Sequence, residues 1–284
     1  MNANQWQRWV GRTSTGSDPL HPFAARALAA ALDRDVLPDL GDPLPPLAHW
    51  LYFLKTPRAA ATGLDGHAIE DALLPPLPGM RRMWAEVSLA YTNPLQIGVP
   101  ADRVSRVLAI ESKTGRSGTL LFVRLEHCIS QGGAPCLTEL QTLVFRDIPH
   151  GPTALPDGER PVHPAQWTRE LRPDPVLLFR FSALTYNSHR IHFDRDYAIQ
   201  VEHYPGLLVH GPLIATLLLD LALQAQPGAV LRHFSFRAIR PTFAGGVMRL
   251  CARREGQDLE LWSLDEAGCI GTRASAGFRD ARGT

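Results

Sequence analysis

A dense run of polar side chains lies in the second half of the chain, between Tyr186 and Arg195 (YNSHRIHFDR). It holds an amide, a guanidinium and two imidazoles within the six residues from Asn187 to His192. An imidazole has an ordinary pKa of about 6.5, so it can accept or donate a proton near neutral pH. An amide takes no proton, but it can hold and orient a water molecule. The run therefore predicts a site that moves protons with the help of bound water.

A helix that should be buried follows this polar run. The chain reads LLVHGPL and then continues as an apolar run from Leu213 to Leu223, in which Asp220 is the only charge. Such a run predicts a buried helix, which Gly211 and Pro212 open. The first N–H groups of a helix have no partner within the helix and lie at the positive end of its dipole, so they suit a developing oxyanion. We expect Gly211 to belong to the same site as the polar run.

At these residues the chain resembles the hydratase/dehydratase branch of the hot-dog superfamily, the MaoC-like or R-specific hydratases. Their signature is an Asp, any residue, then Asn-Pro-hydrophobic-His, and further along a Gly that starts a helix. Here Asn187 stands at the Asp position and His192 at the His position. His189 and Arg190 replace the Asn-Pro pair, and Gly211 stands at the helix-starting Gly. The exchange of Asp for Asn removes the usual Asp/His pair.

The segments YNSHRIHFD and YPGLLVHGPL are similar to a subfamily with two hot-dog domains, which includes mitochondrial-type 3-hydroxyacyl-thioester dehydratases and bacterial mesaconyl-C4-CoA or itaconyl-CoA hydratases. The first half of the chain carries other marks of this subfamily. They are HWLYFL at His49 to Leu54, LDGH at Leu64 to His67, LPPLPGMRRMWAE at Leu74 to Glu86, and KTGRSG at Lys113 to Gly118. The resemblance thus covers nearly the whole chain.

The resemblance implies a hydro-lyase that adds water to, or removes it from, an enoyl thioester. The favoured reaction is itaconyl-CoA or mesaconyl-C4-CoA to citramalyl-CoA, and the alternative is a 3-hydroxyacyl-thioester (fatty-acyl) dehydratase. His192 is the expected base, Asn187 the residue that orients water, and the Gly211 N–H the donor to the thioester oxygen. We expect no cofactor other than the CoA thioester that serves as substrate.

Substrate-binding residues are predicted from charge and position. His189, Arg190 and His210 would make the pocket polar, and Arg190 would bind a second carboxylate unless it pairs with a neighbouring Asp. Arg237 and Arg240 are candidate contacts for the CoA phosphates. Lys113 and Arg116 are weaker candidates for the same role, since surface cations are more often only solvated. For Asp194 the sequence favours a capping or ion-paired carboxylate.

Two other classes of protein stay open. His192 and Asp194 with His203 or His210 have the composition of a two-His-one-carboxylate metal site, as in non-haem metal enzymes. The missing Asp also permits a non-catalytic acyl-CoA binder. We nevertheless predict no metal at the site.

Composition limits the partners and the cellular location. The 284 residues carry a formal net charge of +1, whereas a surface that tracks phosphates normally shows a clear basic excess, so nucleic acid is not an expected partner. The N-terminus lacks an apolar signal region and no stretch reaches membrane-span length, so we expect no membrane and a cytoplasmic location. The four cysteines have no CxxC spacing and should be reduced. A homodimer is a possible assembly.

The order of elements reads as a helix followed by strands, twice, with a Pro/Gly-rich segment between the repeats. This order predicts an α+β fold, a double hot-dog in which two antiparallel sheets each wrap a central helix. The predicted domains are 1–150 as a non-catalytic first hot-dog, 151–164 as a linker, and 165–284 as a second hot-dog that carries the site. The predicted elements are a helix at 22–33, a short helix or turn at 49–54, four strands from 82 onwards, a strand at 166–171, the helix at 213–223, and strands at 231–239, 247–253, 259–264 and 269–279.

Overall fold

A computed structural model of the protein describes residues 3–77, 79–115, 118–148, 151–152, 155 and 157–279. Arg116, one of the predicted phosphate contacts, lies outside these residues. The chain divides into two compact units. Unit 1 comprises 1–87, 92–150 and 183–189, and unit 2 comprises 88–91, 151–182 and 190–284. The segment 183–189 therefore belongs to unit 1, although unit 2 flanks it on both sides in the sequence.

Unit 1 is built around antiparallel strands with the order β1-β3-β4-β5-β2. The strands are β1 (Thr13–Asp18), β2 (Met80–Tyr91, whose last four residues belong to unit 2), β3 (Ala101–Gly115), β4 (Gly118–Gln131) and β5 (Ala134–Asp147). Helix α1 (Pro22–Ala31) packs against a 3-10 helix at Ala48–Leu51. Strands β4 and β5 meet at Gly132-Gly133, both with positive φ, which is the backbone that a two-residue hairpin turn requires.

The strand residues that face inward form an apolar core in unit 1. Alternation along a strand sends every second side chain to the same face, and this face is the one buried here. Val107, Ile110, Leu121, Val123 and Leu125 lie in this core.

Unit 2 has five antiparallel strands in the order β7-β10-β9-β8-β6, packed on one long helix. The strands are β6 (Trp167–Leu171), β7 (Val230–Ala238), β8 (Met248–Glu255), β9 (Asp258–Leu264) and β10 (Ile270–Arg279), and the helices are α2 (Pro175–Leu184), α3 (Arg195–Gln200) and α4 (Gly211–Ala225). Every residue of α4 from Leu213 to Ala222 is buried. The predicted antiparallel pairing and the predicted buried helix are confirmed.

The single charge of α4 has an ion-pair partner on the sheet. Asp220 is 6% exposed, and its Oδ2 accepts a hydrogen bond of 2.6 Å from Nη1 of Arg169 on β6. Nη2 of the same guanidinium donates to the Leu217 carbonyl at 3.2 Å. This pair explains how an acid is accommodated in an otherwise apolar helix, because a buried charge needs a partner.

One strand and two α-helices of the structure were not predicted from the sequence. The edge strand β1 has the sequence TSTGSD, which shows no apolar alternation. Helix α3 has only six residues and α2 ten, and both begin after an aspartate whose carboxylate accepts a backbone N–H: Asp194 from Tyr197 and Asp174 from Leu177. No helix of the described residues is long and apolar enough to cross a membrane.

Candidate functional site

His192 is held in a fixed orientation in unit 2. It closes a 3-10 turn at Arg190–His192, is 8% exposed, and has its Nδ1 2.9 Å from the Leu208 carbonyl oxygen. A carbonyl oxygen only accepts, so Nδ1 carries the proton and donates it. In the neutral ring the lone pair then lies on Nε2, which can act as a base. The geometry suits the predicted acid–base role of His192.

His192 lies directly against His210, the residue before Gly211. The two rings are stacked, with centroids 3.7 Å apart and planes at 19°. His210 is 1% exposed, and its Nε2 lies 2.8 Å from the Ser182 hydroxyl. Gly211 is the first residue of α4, as predicted for the residue whose N–H would bind an oxyanion. Unit 2 thus brings His192, His210 and the start of α4 together.

Asn187 and His189 belong to unit 1. The Asn187 side-chain oxygen accepts a 3.0 Å hydrogen bond from the His189 backbone N–H, a local turn that fixes the amide. His189 is 4% exposed, and its ring centroid lies 4.2 Å from that of His67. The predicted role of Asn187 in orienting a water molecule stays a prediction.

The segment around His67 is part of the family resemblance, and no chemical role was predicted for it. The Asp65 carboxylate accepts from the His67 backbone N–H at 3.0 Å and lies 2.9 Å from His67 Nδ1. Burial and the charge of Arg82 lower the pKa of His67 to about 4. Burial alone would raise the pKa of Asp65, but its hydrogen bonds to His67 outweigh this effect and hold that pKa well below its usual range. In the sequence, the signal for this pair was an Asp and a His on either side of a Gly.

The loop that carries Asp65 and His67 is docked on the segment that carries Asn187 and His189. The Ser188 hydroxyl donates to the Gly66 carbonyl at 2.6 Å. A Cβ on Gly66 would lie 1.7 Å from the Ser188 carbonyl oxygen, and Gly66 has a φ of +94°. Only glycine fits both the backbone angle and the contact.

Arg190 makes a local ion pair, the alternative weighed for it from the sequence. Its Nε and Nη2 donate to one oxygen of Asp194 at 3.0 and 2.7 Å, and its guanidinium carbon lies 4.1 Å from the centre of the Tyr197 ring. The other Asp194 oxygen caps α3 through the Tyr197 N–H. The favoured interpretation of Asp194 is therefore confirmed, whereas a contact of Arg190 with substrate stays a prediction.

The predicted phosphate contacts lie in varied surroundings. Arg237 is exposed on β7, and Arg240 donates to Asp265 at 3.0 Å. Lys113 is exposed, with its ammonium group 5.3 Å from the centre of the Phe122 ring. None of these positions by itself marks a phosphate site, so these contacts stay predictions.

The alternative metal site of His192, Asp194 and His203 or His210 is not formed. Within the part of the chain that the structure describes, the one group of three with ligand atoms close enough to share a metal ion, within 4.8 Å of one another, is Asp65, His67 and His189. Two of those three are already joined by the hydrogen bond between Asp65 and His67.

Known proteins resemble this chain in sequence and in fold. The sequence profile of the family described as hydroxyacyl-thioester dehydratase type 2 matches residues 47–244. Mesaconyl-C(4)-CoA hydratase of Chloroflexus aurantiacus is 43% identical over 282 residues, which cover 98% of this chain and 100% of that protein. The mitochondrial hydroxyacyl-thioester dehydratase type 2 of Schizosaccharomyces pombe is 26% identical over 250 residues, 77% of this chain and 80% of that protein. The crystal structure of a MaoC-like dehydratase from Phytophthora capsici matches with a TM-score of 0.70 at 14% identity and covers 99% of both chains.

These findings confirm three predictions. The structural match together with the antiparallel strands confirms the α+β hot-dog fold. The sequence matches confirm the class of enzyme, a hydro-lyase, and the predicted family. The profile covers well over half of the chain, and the Chloroflexus protein matches it almost from end to end. The chain belongs to the hydroxyacyl-thioester dehydratase type 2 family.

Proposed function

We propose that the protein hydrates the carbon–carbon double bond of a dicarboxylyl enoyl-CoA, mesaconyl-C4-CoA or itaconyl-CoA, to give citramalyl-CoA. The observation that carries the reaction type is His192, a buried imidazole whose Nδ1 is bonded to the Leu208 carbonyl, beside the residue that precedes α4. The choice of substrate is supported by the full-length similarity to a protein named for mesaconyl-C(4)-CoA. The polar side chains at the predicted pocket also suit a second carboxylate better than a fatty-acyl tail.

The proposed chemistry moves only protons and one water molecule. With mesaconyl-C4-CoA, the water oxygen bonds to the β-carbon, the electrons of the double bond move to the thioester oxygen as an enolate, and the α-carbon then takes a proton. The double bond of itaconyl-CoA is not conjugated with the thioester, so a proton transfer must first move it to the mesaconyl position. The Gly211 N–H would stabilise the enolate oxygen, and His192 would exchange a proton at Nε2. Asn187 would orient the water. No step needs a metal or another cofactor.

A panel of thioesters tests the proposal. The purified protein is assayed with mesaconyl-C4-CoA, itaconyl-CoA, crotonyl-CoA and 3-hydroxyacyl-CoAs by the change in enoyl-thioester absorbance, and products are identified by mass. We expect kcat/KM for a dicarboxylyl substrate to exceed that for crotonyl-CoA by at least about tenfold, since one charged hydrogen bond contributes roughly 1.5–3 kcal/mol. Light scattering on the same sample tests the proposed homodimer.

Two outcomes would contradict the proposal. Preference for crotonyl-CoA or 3-hydroxyacyl-CoA would favour the fatty-acyl dehydratase, for which the similarity to the Schizosaccharomyces protein is the supporting observation. Tight binding of all the thioesters without turnover would favour a non-catalytic acyl-CoA binder.

A further inference from the structure

We infer that His67, positioned by Asp65, is a second proton-transfer residue of this enzyme and takes the proton of the attacking water. The inference rests on the proposed function and deepens it. It assigns chemistry to the first half of the chain, where the sequence predicted no catalytic residue.

The Asp65 carboxylate fixes the protonation of the His67 ring. An ionised carboxylate only accepts hydrogen bonds, so the 2.9 Å contact places the ring proton on Nδ1 and the lone pair on Nε2. The carboxylate also stabilises the imidazolium that forms when Nε2 takes a proton. Because burial and Arg82 lower its pKa to about 4, the ring is neutral at pH 7 and carries a lone pair on Nε2. The groups that face it are Asp65, Arg82 and His189.

The pair is attached to the segment where water is expected to bind. Three observations within unit 1 join the two: the hydrogen bond from Ser188 to the Gly66 carbonyl, the close approach of Gly66 to the Ser188 carbonyl, and the contact of the His67 and His189 rings. Ser188 and His189 follow Asn187 directly in the chain. The loop of Asp65 and His67 therefore contacts the two residues that follow Asn187 in the chain.

The pair of Asp65 and His67 also supplies the carboxylate that the family pattern requires and that this chain lacks at position 187. The pattern calls for a carboxylate and an imidazole, yet residue 187 is an amide that takes no proton. With Asp65 and His67, a carboxylate and an imidazole are again present beside that position. The half-buried Asp65 has two histidines beside it, and perturbed titratable groups of this kind cluster at functional sites.

Two proton transfers are then divided between two imidazoles. His67 Nε2 takes a proton from water as the water oxygen bonds to the β-carbon. The α-carbon, which adjoins the thioester carbonyl, takes a proton from His192, which must therefore enter this step protonated at Nε2. The net addition is H and OH across the double bond. Exchange with bulk solvent then restores each ring, as His67 releases a proton and His192 takes one up.

Variants of the pair test the inference on the active enzyme. His67→Gln should lower kcat by on the order of 10²–10⁴ with KM within a few-fold, because a general base is lost while binding is kept. Asp65→Asn should lower kcat by at least about tenfold, since an amide can hold the wrong ring tautomer, and Asp65→Glu should restore part of the loss. His127→Gln is the matched control, because His127 is also a half-buried histidine of unit 1 whose pKa is lowered by burial. Its kcat should stay within about twofold of the unmutated value.

A second measurement, by NMR, uses the unmutated protein and so does not depend on whether a variant folds. Nitrogen-15 spectra of the unmutated protein at pH 7 should show His67 neutral with its proton on Nδ1, and added crotonyl-CoA should perturb that ring. An active enzyme in which His67→Gln keeps near-normal kcat, or in which the His67 proton lies on Nε2, would overturn the inference and leave the proposed function intact. One metal ion bound per chain at Asp65, His67 and His189 would overturn it in favour of a metal site. Absence of turnover with every thioester of the panel would instead reject the proposed function.

Discussion

Two imidazoles in this chain, His67 and His192, are oriented by the same device. Each donates from Nδ1 to an oxygen, which leaves Nε2 as the proton acceptor of the neutral ring. The acceptors differ: His67 has a carboxylate, and His192 has a backbone carbonyl. A carboxylate stabilises the protonated ring more strongly than a neutral carbonyl does. The two rings therefore differ in the group that holds the Nδ1 proton.

At the residue scale we predict unequal losses at positions 192 and 187. His192→Ala should lower kcat by on the order of 10²–10⁴, the usual contribution of an acid–base residue. Asn187→Ala removes only the orientation of water, so its loss should be smaller. Steady-state kinetics on the best substrate of the panel measure both.

The surface residue His233, which bonds to Asp258 and is 44% exposed, offers a control as His233→Ala. Its kcat should stay close to the unmutated value. Near-normal turnover in His192→Ala combined with a complete loss in Asn187→Ala would show that the two roles are reversed.

Among single residues, the sequence could predict side chains that carry chemistry but not the backbone atoms that orient them. His192 was predicted from its match to the histidine of the family pattern, and its role stays a prediction. Its partner, the Leu208 carbonyl, carries no side-chain signal at all. The sequence predicted no role for His67, because the role that we infer depends on a contact between residues 66 and 188, which are 122 positions apart.

At the scale of elements, the ion pair between α4 and β6 should contribute strongly to stability. Arg169→Leu leaves the Asp220 carboxylate in a buried helix without its guanidinium partner. Breaking a buried pair in this way typically costs about 3–5 kcal/mol of the free energy of unfolding. Urea denaturation followed by circular dichroism measures the loss.

The neighbouring pair between β8 and β6 provides the comparison. Arg249 bonds to Glu170 with both side chains about half exposed, at 51% and 55%. Arg249→Leu should cost no more than about 1 kcal/mol, as exposed ion pairs do. Similar small losses in both variants would show that α4 tolerates Asp220 without its guanidinium partner.

Helices and strands could be predicted where a periodic apolar pattern determines them. They could not be predicted where a helix depends on its capping residue or where a strand lies at the edge of the sheet. Helix α4 and the longer strands follow from periodicity, because their inward faces form the core. Strand β1 has a polar sequence and pairs with β3 through its backbone, so its residues give no pattern. Helix α3 owes its start to Asp194, whose second role with Arg190 also depends on the folded structure.

At the scale of the whole molecule, acid should destabilise the protein. The pKa of Glu139 would be raised by burial, but its hydrogen bond to His49 outweighs this and holds the pKa below its usual range. Burial lowers the pKa of His127. Both groups bind fewer protons in the folded chain than in the unfolded chain, so both stabilise at neutral pH. The His127 contribution is lost as pH falls below about 6.5, and that of Glu139 as pH falls below about 4.3.

Urea denaturation at pH 7, 6, 5 and 4 measures this dependence. The free energy of unfolding should fall with each step to lower pH. In the His127→Gln variant this free energy should depend less on pH between pH 6.5 and pH 4. A stability that stays constant or rises on acidification would show that the two groups titrate alike in the folded and unfolded chains.

The membership of residues 183–189 in unit 1 has a consequence for the order of folding during synthesis. The ribosome synthesises residues 1–150 first. The segment 183–189, whose Ser188 carbonyl lies against Gly66, is complete only when residue 189 of 284 has been added. Until then the loop of Asp65 and His67 lacks Ser188 and His189, its partners in the finished protein. Unit 1 therefore cannot complete its fold until residues 183–189, which are synthesised later, have left the ribosome.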